Sequence, residues 1–300
     1  MGSASPSSTV RPESDVLGAE GWYRSSRLVL LDFDVAIHSD DSALIELVDE
    51  LYAPLQRTGD AEHVLLLGQS GPADRPSFFV ALDGEIVVRS PASTVAFSHL
   101  IFEANQQAIE RTTELVKLHA AGAVLHDRAI VLPGPMGAGK STLVAGLVQR
   151  GLGYITDEVI AIDPTSARVR PYPRPVSLGT PPPALGSMHW EPPIGSRRYL
   201  GASGVVPARA LGTSVDKEVP VGLVVLPRYV ASAATHIGEI SGADALASIA
   251  AQAFHLSRPG TLRALQQVLD GAPCFTLVSG DLTEAVDAVL DVARPLVGVS

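Results

Sequence analysis

The chain is poor in cysteine and lysine, and each shortage limits the kinds of site that it can build. Cys274 is the only cysteine among 300 residues, so neither an intrachain disulfide nor a zinc cluster of thiolates can form. It lies in an apolar stretch, where we expect a buried, structural thiol. Lysine occurs only as Lys117, Lys140 and Lys217, so a lysine inside a motif is informative.

The sequence also lacks a basic run, a long apolar run and the apolar segment of a secretory signal peptide. Its net charge is −10, which argues against nucleic acid as a partner. No stretch is long and apolar enough to span a bilayer. We therefore expect no nucleic-acid partner, no membrane association and a cytoplasmic location.

Residues 134–142 read GPMGAGKST and fit the phosphate-binding loop pattern G-x-x-x-x-G-K-[ST] in full. Glycines let successive backbone N–H groups turn inward around an anion, and the following helix adds its positive end. A lysine places a charge on the outer phosphates, and a hydroxyl reaches Mg²⁺. The predicted residues for binding a nucleoside triphosphate are Gly134, Gly137, Ala138, Gly139, Lys140, Ser141 and Thr142.

The flanks of this loop have the order that the motif requires. Residues 129–132 are apolar and predict a short buried strand, and a helix is predicted from Thr142 to about Gly151. The alternative is a glycine-rich turn that matches by chance. The strand–loop–helix order and the position of Lys140 favour a phosphate site.

A second short apolar strand, residues 152–156, ends in the carboxylates Asp157 and Glu158. In phosphate-loop proteins an acidic residue at the end of a neighbouring strand approaches Mg²⁺ directly or through water. The alternative is an ordinary polar strand end. We predict Ser141, Asp157 and Glu158 as the metal-binding residues.

The domain organisation is predicted as a disordered tail over 1–20, a small α+β N-terminal domain over 21–117 and a nucleotide domain over 118–300. The first domain contains an alternating strand near Leu31–Ile37, a hairpin at Asp83-Gly84 and a helix from Ser93 to about Lys117. Its early aspartates could be metal ligands, but a solvated strand face and a helix cap explain them better. They are Asp32, Asp34, Asp40 and Asp41.

Residues 171–220 form a loop rich in proline and glycine, and long irregular segments in compact enzymes are often functional. We interpret it as a lid that faces the substrate, the alternative being a surface excursion. The sequence does not decide which arginine contacts phosphate. The candidates are Arg174, Arg197, Arg198, Arg209 and Arg228.

Three segments together resemble a known family: Leu118-His119-Ala120, the phosphate loop, and Thr156-Asp157-Glu158. The chain is similar to the HPr kinase/phosphorylase superfamily, and in particular to its shorter HPr kinase-related branch, which includes lasso-peptide kinases. The resemblance is best over residues 118–163. It implies an α/β fold with a phosphate-loop nucleotide domain of the HPr kinase C-terminal type, preceded by the small α+β domain.

The resemblance also implies roles. Lys140 and the loop amides would hold the phosphates of ATP, Ser141 would ligate Mg²⁺, and Asp157 would be the general base. Glu158 would assist the metal or the base, and His119 would adjust the protonation of the acid pair. Without the resemblance, a single histidine in an apolar strand is usually structural.

Two departures from the family limit these expectations. Its bifunctional members carry a Glu-Arg-Gly-rich signature after the acid pair, and residues 174–179 occupy that region here. Glu158 also stands where an aspartate is usual. HPr itself is therefore not the expected substrate, and the phosphorylase reaction is not expected. Members of the family form hexamers, but the N-terminal part differs here, so the resemblance does not imply a hexamer. A homo-oligomer of another size stays open.

The leading prediction is an ATP- and Mg²⁺-dependent kinase that phosphorylates a Ser or Thr hydroxyl of a protein or peptide. Lasso-type and other modified precursor peptides are among the candidate substrates. A small-molecule acceptor, such as an amino acid or a sugar, and a non-catalytic nucleotide-binding regulatory protein are the alternatives. A signalling GTPase is disfavoured because no Asn-Lys-x-Asp motif occurs. A transporter ATPase is disfavoured because no Leu-Ser-Gly-Gly signature occurs.

Overall fold

The computed structural model describes residues 21–72, 74–179, 182–186, 190–201 and 204–297. The predicted disordered tail, residues 1–20, lies outside these ranges. The chain divides into two compact units. The first comprises the described residues within Met1–Glu50, Gln56–Ala108 and Glu191–Gly201, and the second those within Leu51–Leu55, Ile109–Trp190 and Ala202–Ser300. The domain boundaries predicted from the sequence stay a prediction.

Strands and helices alternate irregularly along the chain. The strands are β1 (Tyr23–Arg24), β2 (Arg27–Leu30), β3 (Phe33–Ser39), β4 (Gln56–Arg57), β5 (His63–Ser70), β6 (Ser77–Leu82), β7 (Glu85–Ser90), β8 (Val116–Leu125), β9 (Arg128–Pro133), β10 (Gly153–Thr156), β11 (Val159–Ile162), β12 (Arg168–Arg170), β13 (Val176–Ser177), β14 (Val205–Val206), β15 (Val219–Tyr229), β16 (His236–Glu239), β17 (Ala253–Phe254) and β18 (Cys274–Ser279). The α-helices are α1 (Ser42–Leu51), α2 (Ser93–Arg111), α3 (Lys140–Gln149), α4 (Arg197–Leu200), α5 (Gly242–Ala250), α6 (Thr261–Asp270) and α7 (Leu282–Val297). Short 3₁₀ turns occur at Ala53–Leu55, Pro183–Leu185 and Ala208–Ala210.

The first unit is built on a seven-stranded sheet in the order β4-β2-β3-β5-β6-β7, with β1 also paired to β3. Among the described strands of this sheet, only β3 and β5 pair in parallel, and α1 lies between them in the chain. Phe33, Val35 and Ile37 alternate with half-buried residues along β3, as the period of a strand predicts. The hairpin predicted at Asp83-Gly84 joins β6 and β7.

The predicted end of the long helix was wrong. Helix α2 ends at Arg111, and Lys117 lies in β8 instead. Two threonines follow the helix, and their branched side chains favour extended backbone over helix. Pairing of Val116 with Ile162 then places this segment in the sheet.

The second unit is built on a nine-stranded sheet in which the long strands β8 and β15 each pair with several neighbours. One path through the sheet contains six of its nine strands, in the order β10-β8-β9-β15-β18-β16. Strands β9, β15 and β18 are parallel, and β10 is antiparallel to β8, as β9 is. The carboxyl ends of β10, β9, β15 and β18 therefore lie at one edge of the sheet.

Helices cover both faces of this sheet. Leu147 of α3 and Val289 of α7 belong to one hydrophobic cluster, and Ile249 of α5 and Leu265 of α6 belong to another. Cys274 is a buried free thiol in the second cluster, as predicted. None of the helices in the described ranges combines the length and hydropathy needed to cross a bilayer.

Within 171–220, the described residues form only short elements before β15, and several apolar residues pack into the core. Val176, Leu185 and Ala208 are fully buried or nearly so and pack in the same cluster as α3 and α7. Residues Glu191–Gly201 belong to the first unit. Apolar residues among the prolines therefore anchor parts of this segment to the core, and its interpretation as a lid that faces the substrate stays a prediction.

Candidate active site

The phosphate loop lies between β9 and α3 and has the backbone conformation that its glycines predict. Gly137 and Gly139 have φ angles of +81° and +91°, a region that residues with a β-carbon rarely adopt. Gly139 is the residue immediately before α3. The first amides of a helix have no intrahelical acceptor, so the loop and the start of α3 together present N–H groups to an anion.

Lys140, the first residue of α3, folds back over the loop. Its Nζ donates to the carbonyl oxygens of Gly134 at 2.7 Å and of Pro135 at 2.9 Å. An ammonium group has three N–H donors, so one remains for a phosphate oxygen. Burial lowers the pKa of Lys140, and the nearby carboxylates of Glu158 and Asp157 oppose that effect.

The acid pair follows β10 at the same edge of the sheet as the phosphate loop. Strand β8 separates β10 from β9, and the backbone N–H of Ala120 in β8 donates to the carbonyl oxygen of Glu158 at 3.0 Å. One residue earlier, the carbonyl of His119 accepts from the N–H of Gly134 at 3.5 Å. The strand register thus places His119 between the loop and the acids.

Asp157 is 3% exposed and is held by three donors. Its Oδ1 accepts from the hydroxyl of Tyr154 and from Nη1 of Arg174, both at 3.2 Å. Its Oδ2 accepts from the backbone N–H of Ser177 at 3.2 Å. Burial raises the pKa of Asp157 above its usual value, although the charge of Arg174 acts in the opposite direction. A carboxylate with a raised pKa is a stronger base than an exposed aspartate.

Arg174 contacts both acids, through Nη1 to Asp157 and to an oxygen of Glu158. Burial alone would lower the pKa of Arg174, but the two carboxylates outweigh it, so this pKa lies above its usual value. The guanidinium Nε is buried and has no hydrogen-bond acceptor among the described residues. The sequence named Arg174 as a candidate for holding phosphate, whereas the structure joins it to the predicted base.

Buried tyrosines that the sequence pattern did not identify complete the surroundings of this ion pair. Tyr52, Tyr154 and Tyr172 are all at most 1% exposed. Burial raises the pKa of Tyr52 to about 12, and the charges of Arg174 and Glu158 also act on it. The tyrosines are far apart in sequence, and only the placement of Tyr154 three residues before Asp157 offered a signal.

The side chain of His119 is half-buried, and its ring centroid lies 6.4 Å from that of Phe254 in an edge-on arrangement. Burial lowers the pKa of His119, the charge of Lys140 lowers it further, and Glu158 opposes both. A neutral imidazole is therefore favoured near neutral pH. The structure brings His119, Lys140, Asp157 and Glu158 to one edge of the sheet.

The donors at this edge fit Mg²⁺ better than a transition metal. Ser141 lies in the first turn of α3, and the two carboxylates follow β10. In the parts of the chain that the structure describes, no group of three or more His, Cys, Asp and Glu side chains could hold a metal ion. Mg²⁺ commonly takes one or two carboxylates and completes its shell with water and phosphate oxygens. The ligand set Ser141, Asp157 and Glu158 stays a prediction.

Asp34, Asp40 and Asp41 have structural partners within the first unit. Asp41 binds Arg198 and Tyr199, and its Oδ1 accepts from the N–H of Ala43 at 3.1 Å, as expected of a helix cap. Asp34 lies on the partly exposed face of β3 and is paired with Arg27. Arg198, which the sequence named as a candidate phosphate contact, has Asp41 as its partner.

Comparisons with known proteins add little to this geometry. No family model matches the chain, and no curated protein matches it. Among solved structures, the HPr(Ser) kinase/phosphatase of Coxiella burnetii is similar at 14% identity and a TM-score of 0.25, covering 60% of this chain and 98% of that one. At that TM-score the similarity assigns neither fold nor function, and the superfamily resemblance continues to rest on the motif residues.

Proposed function

We propose that this chain is a kinase that transfers the γ-phosphate of ATP to a Ser or Thr hydroxyl of a protein or peptide. The observation that carries the proposal is the shared sheet edge of the phosphate loop and Asp157. The phosphate loop follows β9 and the buried carboxylate follows β10 on the other side of β8, and the polar groups around Asp157 fix its orientation.

The chemistry follows from these positions. The loop amides and Lys140 bind the β- and γ-phosphates and hold the γ-phosphorus in line with the acceptor hydroxyl. The acceptor oxygen forms a bond to the γ-phosphorus as the bond from that phosphorus to the β–γ bridging oxygen breaks. The hydroxyl proton passes to a carboxylate oxygen of Asp157, and ADP leaves. Burial of Asp157 favours its protonated form, which suits it to accept this proton.

Of the three predicted metal ligands, we assign Ser141 and Glu158 to Mg²⁺ and Asp157 to the proton. Mg²⁺ at this position would neutralise charge on the phosphate oxygens. Glu158 is more accessible than Asp157, because 40% of its side-chain surface is exposed and only 2% of that of Asp157 is. The accessible carboxylate of Glu158 is therefore the better ligand for the cation, and the enclosed carboxylate of Asp157 is the better proton acceptor. Arg174 lies between them and stabilises the charge on both.

The test is transfer of label from γ-labelled ATP to an acceptor, with Asp157→Asn as the diagnostic variant. Asparagine keeps the shape of the side chain and removes the base, so the variant should bind ATP and lose transfer. Asp127→Asn makes the same chemical change on the exposed β8–β9 turn, at the opposite end of β9, and should not affect transfer.

The acceptor is identified in the same assay by offering peptides encoded near the gene and, separately, a metabolite extract. Label on a hydroxyl of a peptide or protein supports the proposal as stated. Label on a small molecule keeps the kinase and replaces the acceptor class. Near wild-type transfer by Asp157→Asn would remove Asp157 as the base. Absence of any labelled acceptor, with only slow phosphate release that Asp157→Asn does not alter, would favour a regulatory nucleotide-binding protein.

A further inference from the structure

Tyr229 is a large aromatic side chain that remains exposed beside the phosphate loop. It is the last residue of β15, and 58% of its surface is accessible. Its backbone N–H donates to the carbonyl oxygen of Ala138 at 3.1 Å, and its Cβ lies 3.3 Å from the position that a β-carbon on Gly139 would take. The loop and Tyr229 are therefore held against each other.

The topology of the sheet gives the bound nucleotide a direction. Strand β9, which leads into the loop, has β8 on one side and β15 on the other. The acids and His119 lie on the β8 side, so the γ-phosphate points that way under the proposed function. The β15 side, where Tyr229 lies, is then the side towards which the α-phosphate, the ribose and the base extend.

We propose that Tyr229 is the stacking platform for the base of the nucleotide. A tyrosine ring presents a flat π-face to a base, and stacking of this kind tolerates different bases because each has a π-face. No aromatic ring or cation stacks on Tyr229 among the residues that the structure describes. Exposing the apolar face of this ring to water is unfavourable, and a base stacked on it would remove that surface from water.

The inference rests on the proposed use of a nucleoside triphosphate at the same loop, so its test must separate base binding from phosphate binding. Two ligands do this: ATP, which carries the base, and inorganic tripolyphosphate, which carries only the phosphates. Binding of each in the presence of Mg²⁺ is measured by calorimetry for the full chain and for Tyr229→Ala. Tyr229→Phe keeps the ring, and Tyr23→Ala removes an exposed tyrosine in the first unit as the matched control.

Tyr229→Ala is expected to weaken ATP binding about tenfold and to leave tripolyphosphate binding unchanged. Tyr229→Phe and Tyr23→Ala are expected to bind ATP as the unmodified chain does. A Tyr229→Trp variant should show additional quenching of tryptophan fluorescence by ATP and none by tripolyphosphate, because quenching by stacking requires the base.

Two results would overturn the inference and leave the phosphate site intact. Equal ATP affinity in Tyr229→Ala and the unmodified chain would mean that the base lies elsewhere. Equal weakening of ATP and tripolyphosphate would show that Tyr229 only supports the loop through Gly139. If the unmodified chain bound neither ligand, the phosphate site itself would be rejected, and the base site with it.

Discussion

Arg174 and Asp157 form an ion pair that is almost completely enclosed by protein. Nη1 of Arg174 lies 3.2 Å from Oδ1 of Asp157, and their side chains keep 6% and 2% of their exposure. Removing one partner of such a pair leaves an uncompensated charge in the protein interior, which is strongly destabilising. The proposed base thus depends on an arginine 17 positions later in the chain.

Replacing Arg174 should therefore lower the free energy of unfolding, and a second substitution at Asp157 should restore part of it. Arg174→Met leaves Asp157 as a buried charge without its partner, and we expect the free energy of unfolding to fall by about 3–5 kcal/mol. Adding Asp157→Asn removes the charge and should recover part of that loss. Urea unfolding of the two single variants and the double variant measures the coupling.

The matched control is Arg150→Met, which breaks the ion pair with Asp287 on the surface. Both of those side chains are more than 40% exposed, so the expected loss is below about 1 kcal/mol. Equal losses for Arg150→Met and Arg174→Met, or no recovery in the double variant, would contradict the structural role of the buried pair.

Lys140→Ala should weaken nucleotide binding without unfolding the chain. The Nζ atom donates to two carbonyls of its own loop, so its removal leaves the core helices in place. Loss of a charge-assisted hydrogen bond to phosphate should weaken ATP binding by roughly tenfold to a hundredfold. Lys217→Ala, at an exposed site, should bind ATP normally. Unchanged ATP affinity in Lys140→Ala would count against the phosphate-loop assignment.

The local parts of the site could be predicted from the sequence because each is encoded in a short stretch. The loop pattern fixed Lys140 and its glycines, and an apolar strand ending in two acids located Asp157. Both assignments needed only neighbours in the chain. The structure places them at one sheet edge through the pairing of β8 with both β9 and β10, a relation that the sequence did not state.

The partners of Asp157 could not be predicted, because they come from segments that carry no periodic signal. Arg174 lies among prolines, and its pairing with the acids depends on how the chain returns to the sheet. Tyr52 comes from a short segment that packs in the second unit, although most residues around it in the sequence belong to the first. The end of α2 at Arg111 was missed for a similar reason, since no proline or glycine marks it.

Asp41 should make the free energy of unfolding of the chain depend on pH. Burial alone would raise its pKa, but hydrogen bonds from Tyr199 and Arg198 outweigh this and hold the pKa below its usual value. The folded state therefore binds this proton less readily than the unfolded chain does. The resulting stabilisation is present above the unfolded pKa of about 4 and is lost as the pH falls through the lower folded pKa.

Unfolding by urea at several pH values between about 3 and 7 tests this expectation. Asp41→Asn should be less stable than the unmodified chain at neutral pH, and the difference should shrink as the pH falls below about 4. Asp60→Asn, an exposed site in the same unit, should follow the unmodified chain. A difference that stays constant over the whole range would mean that the charge of Asp41 does not contribute.

Alanine substitutions at Gly139 and Gly151 can separate the effect of backbone strain on stability from the effect of the loop's shape on ATP binding. Their φ angles are +91° and +94°, so alanine at either position should lower the free energy of unfolding by about 1–2 kcal/mol. A β-carbon at Gly151 meets no atom within 4 Å, whereas one at Gly139 lies 3.3 Å from the Cβ of Tyr229.

Gly139→Ala should therefore weaken ATP binding in addition to its cost in stability, because the loop must shift to accommodate the methyl group. Gly151→Ala, at the far end of α3, should show a similar loss of stability and bind ATP normally. Thermal unfolding and calorimetric titration of both variants give the two quantities. If ATP affinity falls equally in both, the loss reflects general destabilisation, and the close approach of Tyr229 to the loop has no part in binding.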